Sequence, residues 1–493
     1  MRPADYSRLD GLALASLLRK GETSAFELMT TAVQLARERA MPLNALCYPR
    51  FEEALEMART AQLIGPFGGL PFLLKDSGLA SRRLPSSMGS RMFRDTQFSF
   101  DSTLVERFEA AGFISFARTT VPELCMAPTT EAVANGGPTL NPWDPARSPG
   151  GSSGGSAVAV ALGVVPIAHG SDGGGSIRIP ASCCGVFGLK PSRGLLPMGP
   201  ARGEGWGGLA TDGVITRTVR DTAAVLDAIA GFDPGAPYAA PRTPESFLAG
   251  LGKPFDRPLR VAKWVSTWND IPVDADCLAA VDLAERLLTR NGHEVIDVGP
   301  PEIDFDRFVN SLINVIAANA VVSIETVAGD KASEQWRGLL EPAILGAYHY
   351  GKKIRASDYI SAIACFHQIS REMARYMRGF DLVLTPTLTQ LPVKLGTLSM
   401  DDDFLAFRLK GARYTMFLAI INASGQPAAN VPLYWNEQGI PAGVQLIGRF
   451  GDDDTVLRAS AELERLSAWQ THYVRLHMER DLARSNDNMR TAD

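Results

Sequence analysis

Three features of the chain predict an α/β protein. Amphipathic helical segments alternate with short apolar runs that read as buried strands, and residues 101–123 set a helix, a glycine and a strand in the order of a β-α-β unit. The composition, 45% apolar against 21% charged, supplies a large core and lies outside the range of disordered chains. The length of 493 residues suggests up to three domains and allows one large one.

In chain order, residues 9–20 read as a helix closed by Gly21, and Ser24 with Glu27 forms a capping box that opens a second helix toward Glu38. A third helix is expected over 51–62. The segment GGLPFLLKD at 68–76 reads as a turn and a buried strand with Lys75 at its end. Residues 102–111 follow as a helix, Gly112 as a break, and 113–117 as a strand before a turn into Pro122. Between 136 and 213 glycine becomes dense, yet the apolar run 157–168 lies inside this stretch, which a solvated linker would lack. Glycine at that density within a core signals positive φ or a close backbone approach to a ligand, so a site is expected here. Residues 234–258 are rich in Pro, Gly and Ala and read as a surface crossing before a strand at 259–264. The segments 276–291 and 305–376 read as mostly helical and able to cap a pocket, and a strand near 382–384 precedes a turn.

Charge and cysteine usage narrow the function. The 49 Lys+Arg against 54 Asp+Glu leave a formal charge of −5, which argues against a phosphate-backbone binder, and no nucleic-acid partner is expected. Six cysteines, none at a metal-ligand spacing, fit a reducing, cytoplasmic setting, and the adjacent Cys183 and Cys184 read as small buried fillers. The apolar stretch 11–18 reads as part of an amphipathic helix. Runs such as 157–168 fall short of the ~20 residues that span a bilayer, so no membrane association is expected.

Six histidines are present, none in HExxH or HxH order, and no GxSxG elbow occurs, which weakens zinc hydrolysis and a Ser-His-Asp hydrolase. His169 reads as a satisfied buried histidine. What remains is Lys75, the tract GGSSGGS at 150–156 and the tract SDGGGS at 171–176. A serine nucleophile without histidine needs another base, and a lysine serves once its pKa falls from about 10.4, as desolvation by Leu73 and Leu74 would make it do. Strand alternation sends Asp76 to the opposite face. Gly173, Gly174 and Gly175 before Ser176 leave backbone N–H groups free to converge on one oxygen, and such a donor contributes about 10²–10³ in rate. Read alone, GGSSGGS could equally be an anion-binding nest, although no GxxxxGK[ST] phosphate loop accompanies it.

Together these residues resemble the amidase signature family of Ser-cisSer-Lys hydrolases. The resemblance rests on LPFLLKD, TTVPEL, NPWDPARSPGGSSGGSA and SDGGGSIRIPASCCGVFGLKPSRG, and more loosely on TRTVRDTA and PAGVQLIG, with 24 positions between Ser152 and Ser176. It implies Ser176 as nucleophile, Ser152 as the cis-peptide serine that relays the proton, and Lys75 as ultimate base. The backbone N–H groups of Gly173, Gly174, Gly175 and Ser176 would form the oxyanion hole. It also implies a large twisted mixed sheet covered by helices on both faces, with no metal or organic cofactor. Asp172 and Arg178 are expected to hold the loop as an ion pair, with Ser153 and Ser156 as structural donors.

The implied layout is an N-terminal helical segment packed on the core (1–66), the core with the catalytic residues (67–232), the rest of the α/β fold with a helical pocket region (233–479), and a frayed tail (480–493). Two departures from the family pattern stand out: Gly173 replaces a commonly larger residue, and Thr120 stands where asparagine is common. After GLKPSRG the chain diverges from the glutamyl-tRNA amidotransferase A subunit and is closer to the bacterial group of 6-aminohexanoate cyclic dimer hydrolases and aryl acylamidases. The expected activity is hydrolysis of a small-molecule carboxamide, aryl amide, oligoamide or carbamate through an acyl-enzyme, with esterase or urethanase side activity. The alternative is an amidotransferase A-type subunit in a transamidation complex. Cys125, Met126 and Trp206 are expected in the substrate pocket, and the sequence leaves a homodimer possible.

Overall fold

The computed structural model describes residues 1–94, 96–241, 245–329, 336 and 338–479; the tail expected at 480–493 lies outside them. Eleven strands among the described residues form one mixed sheet. They are β1 (Leu46–Cys47), β2 (Leu70–Lys75), β3 (Phe113–Thr119), β4 (Ile167–Asp172), β5 (Phe187–Lys190), β6 (Thr211–Thr216), β7 (Arg260–Trp264), β8 (Glu294–Val298), β9 (Leu382–Pro386), β10 (Ala428–Trp435) and β11 (Pro441–Gly448). Their order is β1-β3-β2-β4-β6-β5-β10-β11-β9-β7-β8. This is the α/β fold with a large mixed sheet that the motifs imply.

The β-α-β unit is present as expected. β2 and β3 run parallel, Leu70 opposite Phe113 and Lys75 opposite Thr119, with the helix Thr103–Ala110 between them in sequence. Every residue of both strands is buried, as parallel strands covered on both faces require. The ring of Phe72 packs 4.5 Å from Phe113 and 4.8 Å from Phe108. β4 joins β2 in parallel through Leu73 and Ala168. The ends of β2 and β4, where Lys75 and Asp172 sit, therefore share one edge, the place where parallel α/β sheets build sites.

The first glycine tract starts a helix, Gly154–Ala161, that is buried on every side. Its sequence GGSAVAVA is apolar all round, which suits a central helix packed over β2, β3 and β4. Close approach explains the glycines: a Cβ at Gly151 would lie 2.2 Å from the Thr129 carbonyl oxygen, and one at Gly155 2.4 Å from that of Ala45.

The remaining helices follow their sequence signals. Gly11–Arg19 is capped by Asp10, and Ala25–Leu35 carries the reciprocal Ser24–Glu27 capping box before passing into a single π turn at Ala36–Ala40. Within TRTVRDTA, the buried Asp221 accepts the N–H groups of Gly11 at 2.7 Å and Leu12 at 3.0 Å, which docks the N-terminal helix on the core. Among the described residues, the region 305–376 holds three α-helices, Phe305–Ala328, Pro342–Gly351 and Ala356–Tyr376. The first is long and apolar enough to cross a membrane, and half of its most apolar stretch is buried here against the other two.

Candidate active site

Lys75 is fully buried at the end of β2. Its Nζ lies 2.7 Å from Ser152 Oγ, 2.8 Å from Ser171 Oγ and 3.2 Å from the Ser171 carbonyl oxygen. Burial pulls its pKa below the ordinary lysine value, against the opposing charges of Asp212 and Asp172. Asp76 does turn to the other side, where its carboxylate accepts from Ser86 Oγ at 2.5 Å, Ser87 Oγ at 2.8 Å and the Ser87 N–H at 3.0 Å. Among the described residues the amine thus has hydroxyl and carbonyl partners and no carboxylate in contact. Three acceptors suit a protonated amine. Two acceptors for two N–H groups, with the lone pair turned to the Ser152 hydroxyl, suit a neutral one.

His169 props this lysine from behind. Its Nδ1 accepts the Lys75 backbone N–H at 3.2 Å, so the Nε2 that meets Asp212 Oδ1 at 3.0 Å is the protonated nitrogen. The ring is fully buried, and burial depresses its pKa. Both nitrogens are committed, which leaves the ring no base to offer.

The peptide bond Gly151–Ser152 is cis. The Ser153 N–H donates to the Ser176 carbonyl oxygen at 3.2 Å and Ser156 Oγ to that of His169 at 2.7 Å, so these two serines tie the first tract to the second. Asp172 holds the second tract. It accepts the Gly175 N–H at 2.7 Å and the Ile177 N–H at 3.2 Å, and pairs with the buried Arg178 through Nε and a terminal nitrogen at 2.9 Å each. Burial alone would raise the Asp172 carboxyl, but the charge and hydrogen bonds of Arg178, with Asn422, hold it well below the usual carboxylate range.

Gly175, grouped in the sequence with Gly173 and Gly174, thus gives its N–H to Asp172. Among the described residues no acceptor takes the N–H groups of Gly173, Gly174 or Ser176. Gly173 also has a steric reason to lack a side chain, because a Cβ there would stand 2.8 Å from Cε3 of Trp206.

Two cavities meet at Ser176, and Cys125, Met126 and Trp206 stand in the walls of both. One is apolar, walled by the helix Phe305–Ala328 through residues such as Phe308 and Leu312 and by Ile179 and Met416. The other, which we call the polar one for its side chains, adds Ser152, Ser171, Arg202, Thr211 and Asp212 to an otherwise mostly apolar wall. Leu124, Cys125 and Trp206 all hold left-handed backbone, at φ 51, 57 and 53, uncommon for residues with side chains and often found at functional sites.

Four side chains of the site escaped the reading of the sequence. Ser171 stands beside Lys75. Asn422 and Gln445 reach Arg178 at 2.7 and 2.6 Å from far along the chain, and Arg408 lines the apolar cavity. Gln445 carried a signal, as a polar residue in the middle of the apolar run PAGVQLIG, and Asn422 likewise within LAIINAS. Arg408 carried none that set it apart from Lys410 and Arg413.

Comparison with known proteins shows the family. The family model described as Amidase matches residues 27–457. The chain is 32% identical over 480 residues to a 6-aminohexanoate-cyclic-dimer hydrolase of Pseudomonas sp. (strain NK87), covering 93% of this chain and 95% of that one. A solved structure of 6-aminohexanoate cyclic dimer hydrolase complexed with substrate superposes with a TM-score of 0.89 at 31% identity, over 96% of this chain and 99% of the other. A bacterial aryl acylamidase of the amidase signature enzymes gives 0.86 at 27% identity, over 95% and 98%.

Proposed function

We propose, because this chain belongs to the amidase family and is therefore a hydrolase of amide bonds, that it works through an acyl-enzyme on Ser176 with Ser152 and Lys75 as the proton path. The observation that carries this reading is the buried Lys75 Nζ at 2.7 Å from Ser152 Oγ, with no carboxylate among the described residues in contact to keep it charged. Neutral Lys75 takes the Ser152 proton as Ser152 takes that of Ser176, and Ser176 Oγ attacks the carbonyl carbon. The negative charge that develops on the carbonyl oxygen meets the free N–H groups of Gly173, Gly174 and Ser176, while Asp172 fixes the turn through Gly175. Ser152 then gives its proton to the departing nitrogen and recovers one from Lys75, so the C–N bond breaks with a neutral amine leaving. Water enters by the same relay and releases the acid.

Ser152 lines the polar cavity and not the apolar one. A group that Ser152 protonates must lie on its side, so the amine occupies the polar cavity and the acyl chain the apolar one. Secondary amides are the preferred class, anilides, oligoamides and carbamates included, since both halves of the substrate then find a wall.

Product formation by mass spectrometry tests this, with wild type and Ser176→Ala on primary amides, anilides, linear and cyclic oligoamides, carbamates and glutamine. Turnover of a secondary amide that vanishes in the variant is the expected result. Turnover of glutamine alone would favour the amidotransferase alternative, and turnover that survives Ser176→Ala would overturn the assignment of the nucleophile.

A further inference from the structure

Among the described residues that line the apolar cavity, one side chain is charged. Arg408, on the helix Phe404–Tyr414, stands in its wall among residues such as Phe308, Leu312, Ile316 and Met416, and none of the lining residues is acidic. One terminal nitrogen of its guanidinium donates to the Met126 carbonyl oxygen at 3.0 Å. Its Nε is shut off from solvent with no acceptor among the described residues. Burial lowers its pKa to about 10, with no neighbouring charge pulling either way, so it stays a cation at neutral pH.

A part-buried guanidinium whose Nε is closed off from solvent, with no anion beside it among the described residues, is costly, and proteins keep such groups paired or leave them where a ligand will pair them. The fully buried arginine at the site shows the contrast: Arg178 has a bidentate carboxylate and two side-chain amide oxygens. Packing offers Arg408 nothing comparable. From its place in the wall of the acyl cavity and its missing partner, we infer that Arg408 selects acyl groups ending in a carboxylate, joined to the scissile carbonyl by an apolar segment. This rests on the reading of Ser176 as nucleophile and of the apolar cavity as the acyl side. The substrate class that follows is the monoamide of an alkanedioic acid. An acyl chain ending in an ammonium would be repelled by the guanidinium and one ending in methyl would leave it unpaired.

The test uses alkyl fluorophosphonates of graded chain length that end in carboxylate, methyl or ammonium, and measures the rate at which each labels Ser176 in the full-length protein. Ser176 Oγ forms the bond to phosphorus as fluoride leaves. At the best length the carboxylate probe is expected to react at least about tenfold faster than the methyl probe, with the ammonium probe slowest. In Arg408→Met the ratio of carboxylate to methyl rates should fall by about a hundredfold, so that the order reverses, while Arg408→Lys should keep the carboxylate first. Labelling of Ser176 with no advantage for the carboxylate at any length overturns the role of Arg408 and leaves the serine hydrolase reading intact. Failure of every probe to label Ser176 overturns that reading and this inference with it. The wild-type ratio needs no variant to fold.

Discussion

Two guanidiniums near Ser176, one fully buried and one partly, live in opposite circumstances. Arg178 donates to Asp172, Asn422, Gln445 and the Leu418 carbonyl, and ties together segments that lie 240 and more residues apart in sequence. Arg408 has one carbonyl oxygen and an apolar cavity. The saturated cation belongs to the scaffold, because every donor it has is spent on holding the loop. The unsaturated one has donors left for something that arrives, which is why hydrogen-bond satisfaction sorts residues into roles that charge and burial alone would merge.

The sharpest way to break this contrast is Arg178→Met. It strands the Asp172 carboxylate in the core and should cost about 3–5 kcal/mol of stability in urea unfolding. The acid limb of the stability curve should change as well. Asp172 has a depressed folded pKa, so in the wild type its contribution is whole above its ordinary value of 3.8 and is lost as pH falls toward the folded pKa. In the variant Asn422, the charge of Lys190 and the loop N–H groups are left to oppose burial, so the carboxyl should lie higher than in the wild type and less stability should be lost on acidification.

Lys75→Met comes next, with kcat/KM for amides expected to drop by about 10²–10⁴ and that for activated esters by less, because a good leaving group needs no proton from Ser152. In the wild type the neutral lysine is the working form and burial lowers its pKa, so kcat/KM should rise with pH and level off below the ordinary lysine value of 10.5. A maximum in mild acid would remove Lys75 as base. Trp206→Ala should shift the ratio of kcat/KM for bulky over small amides by about tenfold, since the indole stands in both cavity walls. The smallest effect is on the stability of Arg408→Met, expected within about 1 kcal/mol of wild type or above it, because the charge removed leaves one carbonyl oxygen and, among the described residues, no anion. A loss as large as that of Arg178→Met would place both arginines in the scaffold.

The sequence displayed the chemistry of this site better than its walls. Lys75 was legible as a lone lysine closing an apolar strand, and the glycine tracts as backbone that had to approach something closely, because both signals are local. The pairing of Asp172 with Arg178 was legible for the same reason, six residues apart. The partners that complete it, Asn422 and Gln445, come from β11 and the short helix Ala419–Ser424, and only the sheet order brings them to the loop. The free N–H groups of the second tract were visible as a set, but which glycine is drawn off by Asp172 depends on the curvature of one turn. Strands β5, β6, β10 and β11 were hidden by glycine and proline, whose turn signals outweigh short strand runs in any local reading.

The contact between Gly173 and Trp206 carries a consequence for how this site can change over generations. A methyl group at 173 has no room while the indole stands 2.8 Å from where it would go. Positions 33 residues apart in the chain are therefore bound to one another: a larger residue in the loop is open only to lineages that have first given up the tryptophan, and a lineage that keeps the tryptophan keeps the glycine. Libraries that randomise position 173 alone are held to glycine, whereas those that change the tryptophan first, or both positions together, open the loop to larger residues.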